Sequence, residues 1–325
     1  MGNSTPQISS IQKSDVLKYI IDLNMNTPVA VVFFNRITPL RKLLARLSEV
    51  HPSKLYLISD GPRDGREGEG AKVAECRKFM QDVPWTCEIK TNFAETNLGC
   101  RRRVTSGLDW VFQQEERAII LEDDCIPTVE FFSWIEKMLD LYENDNSVMS
   151  ICGTNYNENL SDEKFDIVAT KYPVFTGWGT WRRAWQLNDK NLSLLSKAKE
   201  CHQLRKWLGS GREEYYWLYL LSHVKSSWGY RWSFTNFMYE ALQVLPSRNL
   251  IENVGINSGP ATHTSDYLHV FPSVHDDWRY KGRIPERLVS NIKLDQWFAD
   301  VFYSKSFSER VKWLVKKIQR KVCVK

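Results

Sequence analysis

Several features of membrane-spanning, secreted and zinc-binding proteins are missing from this sequence. No apolar run approaches the ~18 residues that a transmembrane helix needs, and no apolar signal segment precedes the first strand-like stretch. The 7 cysteines are irregularly spaced, odd in number and without a CxxC pair. Such a set argues against a disulfide framework or a zinc site and for a reducing compartment. We therefore expect a protein that is made and kept in the cytosol.

The composition is that of a globular protein with an excess of aromatic side chains. The chain has 325 residues, 42% hydrophobic and 26% charged, which is enough for one large domain or two closely joined ones. Its 13 Trp, 13 Tyr and 15 Phe are frequent between Trp178 and Trp232. Aromatic faces stack on sugar rings, but they also fill protein cores, so composition alone is weak evidence of function.

Continuous apolar runs alternate with amphipathic stretches in the first half of the chain. The runs at 28–34, 54–59 and 117–121 have the character of buried strands, and a shorter strand is expected near 87–90. This alternation predicts an α/β fold with a mostly parallel sheet flanked by helices, and ligands at the carboxyl edge of that sheet. The predicted helices cover 14–23, 38–47, 71–80, 100–113, 129–142, 194–207 and 213–225, and a further strand covers 148–153.

The strongest candidate site is the acidic triplet Glu122-Asp123-Asp124, which ends the strand predicted at 117–121. Three adjacent carboxylates repel one another, so a fold that keeps them together usually holds a cation there. Their hard oxygens suit Mg²⁺ or Mn²⁺, especially when a diphosphate supplies the other ligands. A solvated acidic turn is the alternative interpretation. The position directly after an apolar strand favours the metal site.

Polar residues at neighbouring strand ends suit a nucleotide diphosphate. Asn35 and Arg36 follow the first strand, and Asp60, which follows the second, can accept the ring N–H of uracil. Arg101 and Arg103 lie in the first turn of a predicted helix, where cations oppose the helix dipole. Their position favours an anionic partner such as phosphate over a solvated helix face.

The stretch at 175–181 combines glycine and tryptophan and cannot form a regular helix interior. Gly177 would let the backbone approach a ligand, while Trp178 and Trp181 would offer stacking faces. We therefore predict the floor of a donor-sugar or acceptor pocket here. A turn with buried tryptophans is the alternative interpretation.

Five stretches carry a family resemblance in their order along the chain: PVAVVFFNR, ISDGPRDG, NLGCRRRVTSGLDWVF, AIILEDD and FTGWGTWRRAW. Their combination resembles bacterial nucleotide-sugar glycosyltransferases of the GT-A fold. It is similar to the N-acetylglucosaminyltransferase I type and to polysaccharide-assembly transferases. The similarity covers about residues 28–264 and is specific as a combination, whereas each stretch alone is weak.

The resemblance implies roles for individual residues. Asp124 would bind Mn²⁺ or Mg²⁺, while Asp123 and Glu122 would position the ribose or the donor sugar. His263, in the Ala-Thr-His-Thr that related transferases carry, would be a second metal ligand or a diphosphate contact, against the alternative of a structural histidine. The implied nucleotide contacts are Asn35, Arg36, Asp60 and Arg101, with Arg103, Gly177 and Trp178 as further donor-site candidates.

The catalytic base is where this chain departs from the family pattern. An inverting transferase needs a carboxylate to take the proton of the acceptor hydroxyl, and related sequences have an Asp where this chain has Gly229. Glu214 and Glu213 are the nearest alternatives, with Asp266 and Glu240 as further options. A retaining route, in which a donor phosphate oxygen acts as the base, is equally open.

The predicted function is transfer of a sugar from a UDP-linked donor to a glycan or lipid-linked acceptor in cell-surface polysaccharide synthesis, with no nucleic-acid partner. A sugar-nucleotide pyrophosphorylase shares the fold class, but residues 34–38 lack the glycines that such a loop needs. A non-catalytic module that binds sugar-nucleotides or glycans is the third possibility, and Gly229 is its best support.

The chain divides by pattern into a flexible start (1–27), a nucleotide-sugar half (28–153), a helical and aromatic acceptor-side half (154–285) and a helical tail (286–325). The tail predicts a basic amphipathic helix that places the protein peripherally on the inner face of the cell membrane. A terminal helix packed on the domain is the alternative. The apolar face of the predicted tail helix consists of Val311, Leu314, Val315, Ile318 and Val322. The basic residues of this helix are Arg310, Lys312, Lys316, Lys317, Arg320 and Lys321.

Deletion of the chain from Phe307 onward tests the membrane interpretation. Each basic residue near an anionic surface contributes about 1 kcal/mol, so six of them support reversible docking that weakens with salt. We expect the truncated protein to stay folded and to hydrolyse donor slowly, but to sediment less with anionic liposomes and to transfer less sugar to a lipid-linked acceptor. Unfolding of the truncated protein would instead show that the helix is a packed structural element.

Overall fold

The computed structural model of the protein describes residues 25–257 and 272–303. The helix predicted at 14–23, the candidates His263 and Asp266, and the basic helix after Phe307 lie outside these ranges. Residues 25–27 belong to the predicted flexible start, yet Met25 and Thr27 are buried, and the Thr27 N–H donates to Glu136 Oε1 at 2.7 Å. This part of the predicted flexible start is therefore packed against the domain.

Within the described residues, ten strands form one large sheet and one small one. The eight-stranded sheet has the order β3-β2-β1-β4-β8-β6-β9-β7, and β5 pairs with β10 in a two-stranded antiparallel sheet. The strands are β1 (Val29–Phe33), β2 (Lys54–Ser59), β3 (Glu88–Phe93), β4 (Arg117–Glu122), β5 (Cys125–Pro127), β6 (Val148–Cys152), β7 (Ile167–Thr170), β8 (Trp178–Trp181), β9 (Leu242–Pro246) and β10 (Ile251–Asn253).

Helices cover both faces of the large sheet. Short 3₁₀ turns occur at Glu158–Leu160 and Val254–Asn257, and a π turn occurs at Ala299–Tyr303. The helices are α1 (Ile37–Val50), α2 (Glu69–Gln81), α3 (Cys100–Phe112), α4 (Val129–Leu141), α5 (Arg182–Trp185), α6 (Leu195–Glu200), α7 (Gln203–Leu208), α8 (Gly211–His223), α9 (Gly229–Met238) and α10 (Ile292–Phe298).

The direction of the strands explains why polar residues gather at one edge. Strands β3, β2, β1 and β4 are parallel neighbours, while β8 and β7 run antiparallel to the strands beside them. The carboxyl ends of β1, β2 and β4 therefore meet at the same edge, as the α/β prediction requires. The predicted fold class, a mostly parallel sheet flanked by helices, is confirmed.

The apolar runs of the central strands are continuous because both faces of the sheet are covered. In β1, Val29, Val31 and Phe33 pack against the layer of α1, α2 and α4. Ala30 and Val32 pack into the opposite layer, which contains α3 and α5 to α10. Each layer therefore buries alternate residues of one strand.

Several predicted boundaries differ from the structure. The helix expected at 194–207 is two helices, α6 and α7, separated at His202, whose φ of 51° is left-handed. The predicted division after residue 153 lies between two halves of one domain, and the large sheet continues across it, since β6 pairs with both β8 and β9. The tail predicted from 286 includes α10, where Leu294 and Phe298 are buried, so its described part packs on the domain.

Close packing of α3 on β2 depends on a glycine. A Cβ added at Gly107 would lie 2.5 Å from Ile58 Cγ2, so helix and strand approach more closely than any side chain allows. Gly70 is in α2 and is exposed, and a Cβ there would meet no atom within 4 Å.

We expect Gly107→Ala to lower the free energy of unfolding by about 1–3 kcal/mol, because the added methyl overpacks the layer between α3 and β2. Gly70→Ala is the matched control and should raise stability by up to about 1 kcal/mol, because alanine favours the helical state. Urea unfolding of both variants measures the difference. Equal stabilities would contradict the close approach of α3 to β2.

Candidate active site

The acidic triplet lies at the carboxyl end of β4, beside the end of β1. Glu122 is the last residue of β4, and Asp123 and Asp124 form the turn into β5. The Asp123 N–H donates to Val32 O at 3.0 Å, which holds the turn against β1. Arg36, three residues after β1 ends, is thereby brought to acids that are far away in sequence.

The Arg36 guanidinium bridges two of the three acids. Its Nη2 donates to Asp124 Oδ2 at 3.0 Å and also to Asp123 Oδ1, and its Nε donates to Asp123 Oδ2 at 3.3 Å. Burial alone would lower the pKa of Arg36, but the hydrogen bonds and charges of Asp123 and Asp124 outweigh it and the pKa is raised. Arg36 therefore supplies one cationic group at this strand end, and the predicted Mg²⁺ or Mn²⁺ stays a prediction.

One guanidinium does not fully compensate three carboxyl groups. Burial, together with the charges of Asp124 and Asp123, raises the pKa of Glu122 to about 8. Burial also raises the pKa of Asp123, to about 6, although Arg36 opposes the shift. Ionisation of these two buried acids is therefore disfavoured, and a further cation would stabilise the ionised forms.

Gly255 packs directly against the Asp124 carboxylate. Residues 254–257 cross the acidic turn, with the Val254 N–H donating to Asp124 O at 3.0 Å. A Cβ added at Gly255 would lie only 2.2 Å from Asp124 Oδ2. The hard carboxylate oxygens, already paired with one cationic group, fit a divalent cation that Asp124 would hold. Within residues 25–257 and 272–303, no three His, Cys, Asp or Glu side chains form a complete metal-binding group, so other ligands would have to come from a bound molecule.

Asp60 fixes the loop that precedes α3. Its Oδ1 accepts the N–H groups of Gly61 at 2.9 Å and Leu98 at 2.8 Å, and its Oδ2 accepts the Gly99 N–H at 2.9 Å. The side chain is 6% exposed. These three hydrogen bonds satisfy the buried Asp60 carboxylate even when no ligand is bound. The predicted contact of Asp60 with uracil stays a prediction.

Glu69, which the sequence analysis missed, organises the residues after β1. It accepts the Arg63 N–H at 2.7 Å, the Arg63 guanidinium, and the Asn35 amide at 3.2 Å. Hydrogen bonds from Arg63 lower the pKa of Glu69 to about 2. The signal in the sequence was an acid in the first turn of α2, a position where the helix dipole favours negative charge. In the structure, this acid also binds residues of the preceding loops.

The two candidate arginines of α3 have different surroundings. Arg103 is 4% exposed and its Nη2 donates to the carbonyl and side-chain oxygens of Asn92 at 3.1 and 2.6 Å. It anchors α3 to β3, which contradicts the predicted contact with a donor. Arg101 is half-buried and has no ion-pair partner in the described part of the chain. Burial and the charge of Arg101 lower the pKa of Arg231, so α9 contributes a second arginine near this edge that the sequence analysis missed.

The tryptophans of the 175–181 stretch belong to the core. Trp178 and Trp181 lie in β8 and are 0% and 2% exposed, and Trp178 stacks on Trp228 with ring centroids 5.6 Å apart. Other side chains cover their faces, which contradicts the predicted stacking on a sugar. Gly177 has a φ of 63°, and a Cβ there would lie 2.5 Å from Ile251 Cδ1, so it serves close packing of β8 and β10.

The acids proposed as a base do not reach the acidic turn. Burial and the charges of Asp295 and Asp300 raise the pKa of Glu213 to about 7, and Asp295 accepts a hydrogen bond from Thr170 at the end of β7. Since β9 runs in the direction of β4 and β7 runs against it, Thr170 lies at the opposite edge from Glu122.

Glu214 and Glu240 contact side chains near α7 and not the acidic turn. Glu214 Oε1 lies 3.2 Å from His202 Nδ1, and Glu240 Oε1 accepts from Gln203 Nε2 at 2.9 Å, so both contact the region around α7. The expectation that Glu213, Glu214 or Glu240 serves as the base is therefore corrected by their position. Asp266 and His263 are not described, and their roles stay predictions.

No protein-family model and no curated protein matches the chain. Similar solved structures include a mannosyltransferase from Pyrobaculum calidifontis in complex with GDP-Man and Mn²⁺, at 10% identity and a TM-score of 0.36, covering 67% of this chain and 71% of that one. HddC from Yersinia pseudotuberculosis has 10% identity and a TM-score of 0.32 over 51% and 83% of the two chains. The 4-diphosphocytidyl-2C-methyl-D-erythritol synthase from Anaerococcus prevotii has 12% identity and a TM-score of 0.33 over 57% and 85%. Likenesses this distant identify no activity for this chain.

The titration of Glu213 tests its burial. A carboxyl group whose pKa is about 7 in the folded state and about 4.3 when unfolded stabilises the fold at low pH, and this contribution is lost as the pH rises through 7. From pH 5 to pH 8, wild type should therefore lose on the order of 2–3 kcal/mol relative to Glu213→Gln. Urea unfolding across this range measures it. Glu200→Gln, at an exposed acid of α6, should follow wild type, and a Glu213→Gln profile parallel to wild type would show that Glu213 is solvated.

Proposed function

We propose that the chain is a metal-dependent glycosyltransferase that moves a sugar from a nucleotide-diphosphate donor to a glycan or lipid-linked acceptor. The observation that carries this proposal is the acidic turn at the carboxyl edge, where Asp123 and Asp124 already share one cationic group and present hard oxygen ligands. Ligands of α/β sheets bind at this edge, and carboxylates paired with a diphosphate are a common setting for Mn²⁺ or Mg²⁺.

The residues at the edge would divide the work of donor binding. Asp124 would hold the metal, which as a Lewis acid would stabilise the charge of the departing diphosphate. Arg101, half-buried in the first turn of α3, is suited to the phosphates because helix N-termini attract anions. Asn35 and Arg36, which lie between β1 and α1, are proposed to contact the nucleotide, and Glu122 to position the ribose or sugar.

Two routes for the sugar transfer are consistent with the described residues. In an inverting route, Asp266 is the candidate base, since Glu213, Glu214 and Glu240 lie away from the acidic turn. In a retaining route, a donor phosphate oxygen takes the acceptor proton. Analysis of the product anomer by NMR distinguishes the two.

We also propose a UDP-linked donor, an acceptor of cell-surface polysaccharide synthesis and docking on an anionic membrane surface. Docking is supported by Val289 and Ile292, which are 61% and 81% exposed and lie next to the exposed Arg287 and Lys293. None of the helices in the described ranges has the length and apolar character that crossing a bilayer requires.

Asp124→Asn tests the proposed function. We expect transfer to be abolished and donor binding to lose its dependence on Mn²⁺ while the fold survives, because the amide keeps the size of the side chain and removes the anionic ligand. Thermal shifts with UDP- and GDP-sugars, with and without Mn²⁺, measure the binding, since a bound ligand stabilises by mass action. Asp140→Asn, at an exposed acid of α4 paired with Arg117, is the control. Full activity of Asp124→Asn would overturn the proposal.

A further inference from the structure

The Arg36 side chain has two kinds of contact, one exposed and one buried. It donates to the buried Asp123 through Nε and Nη2, and to the more accessible Asp124 through Nη2 alone. The Arg36 side chain is 34% exposed, so part of it faces solvent. An arginine held on one side and open on the other can exchange one partner without losing the second.

From this arrangement we propose that Arg36 closes the cation position at Asp124 in the ligand-free protein and couples metal binding to nucleotide-diphosphate binding. When a divalent cation takes Asp124, Arg36 releases that carboxylate, stays on Asp123, and turns its free N–H groups to the phosphates. The inference rests on the proposed function and adds to it an obligatory exchange at one side chain.

The exchange follows from charge and crowding at one oxygen atom. Asp124 Oδ2 accepts from Arg36 Nη2 at 3.0 Å on one side, and on the other it lies so near Gly255 that a Cβ there would be 2.2 Å away. A divalent cation on this oxygen would lie within a few ångströms of the guanidinium, where like charges repel strongly in a partly buried site. Arg36 and the metal therefore compete for Asp124.

Asp123 keeps Arg36 at the site during the exchange. It is 4% exposed and its own N–H is bonded to Val32 O, so its carboxylate is fixed relative to β1. Forked contacts between a guanidinium and a carboxylate are among the stronger hydrogen bonds in proteins. A guanidinium freed from Asp124 loses an anionic partner, and a diphosphate supplies one. Metal and nucleotide should therefore strengthen each other's binding by the same factor.

Titration of Mn²⁺ into the full-length protein, followed by electron paramagnetic resonance of the free ion, tests the inference without any activity assay. In the absence of nucleotide, Arg36→Gln should bind Mn²⁺ about tenfold tighter than wild type or more, because no charged hydrogen bond has to be broken. The gain in Mn²⁺ affinity on adding UDP should shrink by a similar factor. Arg36→Lys keeps the charge without the fork and should lie between the two, and it serves as the folded alternative if Arg36→Gln loses its thermal transition.

Arg63→Gln is the matched control, because it removes the same charge near the end of β1 from a guanidinium that is bound to Glu69. Its Mn²⁺ affinity should stay within about twofold of wild type, as expected for an exposed charge. If Arg36→Gln binds Mn²⁺ no tighter than wild type, or gains no more than Arg63→Gln, the exchange is wrong and the proposed function stands. If wild type binds no Mn²⁺ alone, with UDP or with GDP, both proposals fail.

Discussion

Repulsion among three consecutive carboxylates is the constraint around which the carboxyl edge of this protein is built. Glu122, Asp123 and Asp124 end a strand that is buried on both faces, where water cannot screen their charges fully. Arg36 relieves part of the repulsion. Burial, together with the neighbouring charges, still raises the pKa values of Glu122 and Asp123. A further cation would stabilise the ionised carboxylates, and this is the physical basis of the proposed metal dependence.

The acids at this edge differ in whether their carboxylate oxygens are available to a ligand. Asp60 accepts three backbone N–H groups, and Glu69 is occupied by Arg63 and Asn35, so both hold loops in place. Asp124, by contrast, has a guanidinium and an adjacent glycine beside it. A buried carboxylate that is saturated by backbone donors supports the fold, whereas one held by a movable cation can exchange its partner.

The aromatic residues show the same distinction. Of the two tryptophans that suggested a sugar platform, Trp178 packs between β8 and α9, where it contacts Trp228 and Trp232. Trp181 packs on the other face of the sheet, where its Nε1 donates to Leu139 O of α4. Large aromatic side chains remove much apolar surface from water, and a sheet covered on both faces requires such side chains. Their abundance therefore reflects the thick helical layer over this half of the sheet.

The sequence by itself determined the α/β class, the order of the central strands and helices, and the position of the acidic triplet at a strand end, because apolar periodicity and strand-end polarity are local properties. It did not determine the partners of those acids. Only the tertiary structure decided that Arg36 meets Asp123 and Asp124, that Glu69 holds Asn35, and that Glu213 lies at the opposite edge. Each of these outcomes depends on which strands become neighbours and in which direction they run, and hydrogen bonds between residues some 30 to 90 positions apart leave no periodic trace in the sequence.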